Sequence, residues 1–446
     1  MSEVEQKRFE TPSQVTRGWT VQAAKGPIGG GNLHIFCEDA TINLDMDTLE
    51  KHVLFLGAIG SGKTNAIFQL VREIRKYMTK RDVMVVFDTK GDYVAEFYKP
   101  GDSVIANKPM KDYNMVHWNL FRDIRFKAPK NIAEPANEVS RTLYDEFSKK
   151  SNDIFFPYAA RDLTTAVFVA LLKKYFRSLQ SRQGVEPTNT DIRNYLYNSD
   201  PKGLKALIAD DSDLRGALQY IELEDSRQTQ GVLSTIKLMV QDLFAGSFGD
   251  PGDFSVRQFV QAKGGRTLFI EYDIDSGRTL LPIYRVLFDL AIKEALSRGR
   301  SEGNVFFIID EFALLPNLYH IDNGVNFGRS LGAKFIVGAQ NAAQVNAAYG
   351  KARAASILSS FGTVFTFRLF DQESRSIVSH RYGTNRQKIQ TMNFTPGSQT
   401  IVEQITNGKV IEDWHVSSLG TGEAIVSFSS GPPYFFKIMK YSDSNF

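Results

Sequence analysis

Gly57, Gly60, Ser61, Gly62, Lys63 and Thr64 fall on the spacing G-x-x-x-x-G-K-S/T, directly after the apolar run His52 to Leu56 and ahead of a stretch with helical period. Glycines at these places let successive N–H groups turn toward one point, and a helix start adds its positive end, so the loop suits phosphate oxygens. Lys63 is expected to hold the β- and γ-phosphates of ATP, and Thr64 to present its hydroxyl to Mg²⁺. Hydrolysis needs carboxylates as well, one to hold the metal and one to activate water. The run Val305 to Ile309 ends in Asp310 and Glu311, which fit those two roles in that order.

Gln340 closes the apolar run FIVGAQ, where an amide at a strand tip could sense the terminal phosphate or simply bond a turn. Asp88 closes VMVVFD; it reads equally as a nucleotide contact or as the start of an ordinary Asp-Lys-Gly turn. A guanidinium supplied by an adjacent subunit would stabilise charge on a transferring phosphoryl group. Arg368, Arg375 and Arg329 are candidates, Arg368 being preferred, although each also suits a surface ion pair.

Two other chemistries are set aside. Gly328, Ser330 and Gly332 match G-x-S-x-G, but that elbow needs a strand before it and a helix after it, and the order is reversed. Six scattered histidines and one cysteine offer no structural zinc site.

The elements around these residues alternate. Apolar strands are expected at HVLFLG, DVMVVFD, RTLFIEYD, NVFFIID, AKFIVGAQ and GTVFTFRLF, with amphipathic helices between several of them and two closing strands in GEAIVSF and YFFKIMKY. This is the pattern of an α/β protein with a doubly wound, mostly parallel sheet. Between Asn131 and Leu243 only helical patterns occur. The expected organisation is a strand-rich N-terminal segment (1–45), a nucleotide-binding domain in two parts (46–130 and 246–446), and an inserted all-α domain (131–245). The run from 26 to 31, GPIGGG, opens no helix and reads as a hairpin loop.

Composition agrees with a folded, enzyme-sized chain: 446 residues, 42% hydrophobic and 23% charged. The formal charge of +3 excludes a protein that coats nucleic acid by overall basicity, so any DNA contact must be a local patch. Cys37 is the one cysteine, which favours a reducing compartment and a cytoplasmic location. The longest uncharged apolar stretch, Leu163 to Leu172, is short of the ~20 residues of a membrane span.

His52, the phosphate loop, Asp88, the element Trp118-Asn119-Leu120-Phe121, the helical insertion, Asp310-Glu311, Gln340 and Phe367-Arg368 follow one another in an order that resembles the type IV secretion coupling proteins, the TraD/TraG-like conjugation motors. The resemblance covers roughly residues 30 to 430, and the insertion with the Trp-Asn-x-Phe element is its most specific part. It implies a RecA-like P-loop NTPase that forms a homo-hexameric ring, receives relaxase-DNA from the relaxosome, and drives DNA, expected single-stranded, into the secretion channel. Such proteins usually begin with transmembrane helices, whereas about fifty polar or strand-like residues precede this phosphate loop. A chain without its own anchor, cytoplasmic or peripheral at the inner membrane face through partners, is therefore expected. Two rival functions share these residues: a HerA/FtsK-like translocase of duplex DNA, and a nucleotide-dependent adaptor that moves nothing.

Overall fold

Apolar runs set the strands and three-to-four periodicity sets the helices. The computed structural model describes residues 6–9, 21–127, 131–180, 184–198, 200–297, 299, 302–395 and 398–443. From the N-terminus come β1 (Gln6–Phe9), β2 (Gln22–Ala23), β3 (Gly26–Gly29), β4 (Leu33–Phe36), β5 (Ala40–Leu44), α1 (Met46–Glu50), β6 (Val53–Leu56) and α2 (Lys63–Tyr77). Next are β7 (Val83–Asp88), α3 (Asp92–Phe97), β8 (Ser103–Ile105), α4 (Leu120–Arg125), α5 (Ala133–Lys150), α6 (Phe155–Gln180), α7 (Asn189–Ile192), α8 (Pro201–Ile208), α9 (Arg227–Leu243) and α10 (Val256–Ala262). The chain continues through β9 (Arg266–Glu271), α11 (Leu281–Leu296), β10 (Val305–Ile309), α12 (Ile321–Leu331), β11 (Ala333–Ala339), α13 (Ala342–Tyr349), α14 (Lys351–Ser359) and β12 (Thr363–Thr366). It closes with α15 (Gln372–Tyr382), β13 (Thr384–Thr395), β14 (Ser398–Lys409), α16 (Asp413–Ser417), β15 (Glu423–Ser427) and β16 (Tyr434–Lys437).

Two compact units emerge: Met1–Tyr77, Ile309–Pro316 and Lys334–Phe446 form one, and Met78–Ile308 with Asn317–Ala333 form the other. In the first unit the strands run β2-β16-β15-β12-β6-β11. β6 has a parallel neighbour on each side, with Val53 opposite Ile336 of β11 and opposite Thr363 of β12. All four β6 residues are buried, which is why the run is apolar without alternation.

The same unit holds two departures from the expected elements. Gly26–Gly29 is a strand, not a hairpin loop: β3 pairs parallel with β5, while β4 pairs antiparallel with it. A Cβ on Gly29 would stand 2.3 Å from the Asn43 carbonyl oxygen, so the glycine serves a close approach of backbones. The second departure is β13 with β14, twelve residues each in one antiparallel hairpin, with β1 paired to β13. Gln, Asn and Thr dominate these strands, and no apolar alternation announces them.

In the second unit the order is β10-β7-β9-β8, with β7 and β8 parallel to β9. Between Ala133 and Leu243 the elements are helical only. Phe155–Leu179, within α6, is long and apolar enough to cross a membrane by length and composition, yet 67% of its most apolar window is buried inside the structure. Phe168 meets Phe121 edge-on at 5.6 Å and Thr164 shares a 2.8 Å hydrogen bond with Tyr144, as in a core helix.

The Trp118-Asn119-Leu120-Phe121 element is a clasp in this unit. Asn119 caps α4 through Phe121 N–H and donates to the carbonyls of Pro187 and Gly252, at 3.0 Å each. Asn189 accepts from Leu120 N–H and donates to the carbonyls of Trp118 and Phe248. Asp123, wholly buried, accepts from the Trp118 indole at 2.7 Å, the Ser255 hydroxyl at 2.7 Å and the N–H groups of Val256 and Arg257. Burial raises its pKa, and these four donors pull it back only in part.

Candidate active site

Residues 57–64, Asp310, Glu311, Gln340 and Arg368 all belong to the first unit. The loop leaves the buried strand β6 and enters α2, whose Ile67, Leu70, Val71 and Ile74 are buried at three-to-four spacing. Three backbone bonds fix it: Gly57 N–H to the Ala339 carbonyl at 3.1 Å, Ala58 N–H to the Arg368 carbonyl at 2.9 Å, and Gly422 N–H to the Ser61 carbonyl at 2.9 Å. Gly57 is needed for packing, since a Cβ there would lie 2.5 Å from Phe367 Cβ. Gly62 is needed for its φ of 111°. The Lys63 ammonium is buried and donates to the Gly57 carbonyl at 2.5 Å and the Ala58 carbonyl at 3.2 Å, which places it inside the loop's curve.

Asp310 emerges from the end of β10, and its Oδ2 accepts from the Thr64 hydroxyl at 2.9 Å. Residues 246 positions apart thereby form one hydroxyl-carboxylate pair of the kind that holds Mg²⁺ through P-loop and strand. The neighbouring strand approaches very closely: a Cβ on Gly338 would be 2.1 Å from the Asp310 carbonyl oxygen. Glu311 is bonded by the Gln340 amide. Its Oε1 is buried without a hydrogen-bond partner among the described residues. Burial pushes the Glu311 carboxyl above the ordinary carboxylate range; the Gln340 amide, the Lys63 charge and the Ala313 N–H pull it back, and the Asp310 charge adds to the rise. A half-buried carboxylate with one unused oxygen, beside a cation, has the makings of a general base.

The Gln340 side-chain Oε1 accepts from the Gln344 amide at 3.4 Å, leaving its NH₂ for Glu311. Arg368 is tied by its own carbonyl to the phosphate loop of the same chain; its Nε is buried without a partner among the described residues, and its guanidinium stands 5.4 Å from the Phe370 ring centroid. The Arg375 guanidinium donates to the Phe370 carbonyl. Arg329 is exposed in the last turn of α12. Asp88 lies in the second unit, where its carboxylate accepts from Val94 N–H at 2.8 Å and Lys90 N–H at 3.3 Å and so closes the turn into α3. His52 is 1% exposed with φ of 61°, and its Nδ1 accepts from Phe335 N–H, which joins the end of α1 to β11.

Gly338 and Gly422 also shape this site and were not among the residues singled out from the sequence. Their only local trace is glycine beside an apolar strand, as in FIVGAQ and LGTGEAIVSF.

A family model described as the type IV secretion-system coupling protein DNA-binding domain matches residues 37–417. Coupling protein TraD of Escherichia coli (strain K12) is 23% identical over 381 residues, 80% of this chain and 47% of that protein, so the chain spans about half the length of the curated relative it matches. Among solved structures, plasmid coupling protein TrwB in complex with the ATP analogue ADPNP aligns with a TM-score of 0.71 at 18% identity, covering 97% of this chain and 96% of that one. TrwB in complex with ADP and Mg²⁺ aligns with a TM-score of 0.68, also at 18% identity, covering 98% and 96%. This likeness shows the fold, a RecA-like α/β domain carrying an all-α portion. With the family model spanning most of its length, the chain belongs to the type IV secretion-system coupling proteins.

Proposed function

We propose that this chain is an ATPase that couples nucleotide hydrolysis to the movement of DNA into a type IV secretion channel. The observation that carries the reading is the junction of Lys63, Thr64, Asp310 and Glu311 at one loop, with Thr64 and Asp310 2.9 Å apart. These donors fit Mg²⁺ and a triphosphate. When bound, Mg²⁺ polarises phosphoryl oxygens and offsets their charge. Lys63 holds the β- and γ-phosphates, Thr64 and Asp310 hold the metal, Glu311 accepts the proton of the attacking water, and Gln340 orients Glu311. Arg368 stabilises charge on the transferring group, whereas the Asp88 oxygens already serve a turn.

The family description names a DNA-binding domain, which supports DNA as partner. Relaxase-DNA as cargo, secretion-channel components as partners, a homo-hexameric ring and a position at the inner membrane face complete the reading. The helical-only stretch from Ala133 to Leu243 supports an inserted domain (131–245) within a nucleotide-binding domain (46–130 and 246–446) that follows the segment 1–45.

The test is phosphate release with single-stranded DNA, duplex DNA or neither, together with imaging under a non-hydrolysable analogue. Stimulation by single strands and six-fold rings are expected, with Lys63→Ala inactive. Preference for duplex would favour the HerA/FtsK-like alternative. Partner recruitment that persists in Glu311→Gln, with turnover indifferent to DNA, would favour an adaptor.

A further inference from the structure

The turn Gly420-Thr421-Gly422 lies some 360 residues from the phosphate loop in sequence and against it in space. Gly422 N–H donates to the Ser61 carbonyl at 2.9 Å, and a Cβ on Gly62 would stand 3.2 Å from both Cα and N of Gly422. Gly422 itself has φ of 80°, and a Cβ there would stand 3.1 Å from the Ile438 carbonyl oxygen. The turn is braced from its other side: Glu423 accepts from Gly420 N–H at 2.6 Å, the Lys437 ammonium donates to the Thr421 carbonyl at 3.1 Å, and Ile438 N–H donates to the Gly422 carbonyl at 2.8 Å.

Beyond the turn the same segment follows α2. The Met439 carbonyl accepts from the amides of Asn65 and Gln69, both at 2.8 Å, Tyr441 N–H donates to Asn65 Oδ1, and the Arg72 guanidinium lies 5.2 Å from the Tyr441 ring centroid. The C-terminal segment thus grips both ends of the loop-helix junction that presents N–H groups to phosphate.

Given the nucleotide-site reading above, we infer that the Gly420–Gly422 turn is a positioning element of that site, holding the Ser61–Gly62 peptide in the orientation that phosphate binding requires. Glycine is required at 422 by its φ of 80° and by the Ile438 carbonyl oxygen that a Cβ would crowd, and at 62 because a Cβ there would press on the Gly422 backbone, while the Ser61 carbonyl is satisfied by the Gly422 N–H. A peptide pinned in advance binds with less loss of freedom than one that must be ordered by the ligand.

The test compares wild type, Lys63→Ala, Gly422→Ala and the milder pair Glu423→Gln and Lys437→Met, on the full chain. A fluorescent ATP analogue with Mg²⁺ gives affinity, and melting without nucleotide reports the fold. For Gly422→Ala the expectation is about tenfold weaker binding with a melting shift under ~3 °C, and for each brace variant a smaller loss in the same direction. If Gly422→Ala does not fold, the brace pair carries the test. Hydrogen exchange at Gly422 N–H should slow on nucleotide binding in wild type. Wild-type affinity in the folded turn variants, with Lys63→Ala impaired, would overturn this inference alone; absence of binding in wild type would overturn the site reading with it.

Discussion

The phosphate-loop site and the Trp118–Asp123 clasp are both buried polar constellations, and they differ in how completely they are satisfied. In the clasp, both Asp123 oxygens have two donors each, and the Asn119 and Asn189 side chains use their amide hydrogens and oxygen. At the loop, Glu311 Oε1 and Arg368 Nε are buried without partners among the described residues. An unsatisfied buried polar atom costs about 1–3 kcal/mol, so each calls for a water, a ligand or a use to offset it. The contrast separates two kinds of constellation: the Trp-Asn-x-Phe element holds its part of the fold together, and the phosphate loop leaves polar atoms open for the nucleotide chemistry proposed above.

Substitutions should separate the two regions. The largest effect is expected from Glu311→Gln, with phosphate release falling about 10²–10⁴-fold while calorimetric nucleotide affinity and the denaturation midpoint stay close to wild type. Loss of fold in this variant would erase the contrast. Asp123→Ala should behave oppositely: removing an acceptor of four buried donors is expected to cost about 3–5 kcal/mol in chemical denaturation, with nucleotide affinity of the folded protein retained. Gly338→Ala tests the border between the classes, because its Cβ would displace the Asp310 backbone. Both hydrolysis and stability should fall, the latter by about 1–3 kcal/mol.

A smaller effect follows from pH. Because burial raises the Glu311 pKa, its base form and therefore hydrolysis should be lost on acidification earlier than for an ordinary glutamate near 4.5. The stability sign is the reverse. The folded chain holds this proton more tightly, so stability declines as pH rises from about 4.5 toward the raised folded value and then levels. Glu311→Gln should remove that decline, measured by denaturation across the same interval; an unchanged profile would mean that Glu311 is solvated.

The loop, the acidic pair and Gln340 were legible in sequence because each is a local pattern: a fixed glycine spacing, or a polar residue ending an apolar run. The parallel strands around β6 were legible for the same reason. What escaped depends on partners distant in the chain. Gly422 and Gly338 matter through Ser61 and Asp310, and nothing next to them in sequence says so. The clasp was visible as a motif but not as a network, since Asp123 finds its donors at Ser255, Val256 and Arg257. Gly26–Gly29 was misread because glycine signals a turn more often than a tightly paired strand, and the β13–β14 hairpin is too polar to alternate.

Isothermal titration of the folded full chain with ATPγS and Mg²⁺, beside Lys63→Ala, tests the central claim most directly. One nucleotide per chain, dependent on Mg²⁺ and lost in Lys63→Ala, is the expected result. Wild type and Lys63→Ala giving the same heat, or wild type giving none, would contradict a triphosphate held between Lys63 and the Asp310-Glu311 pair.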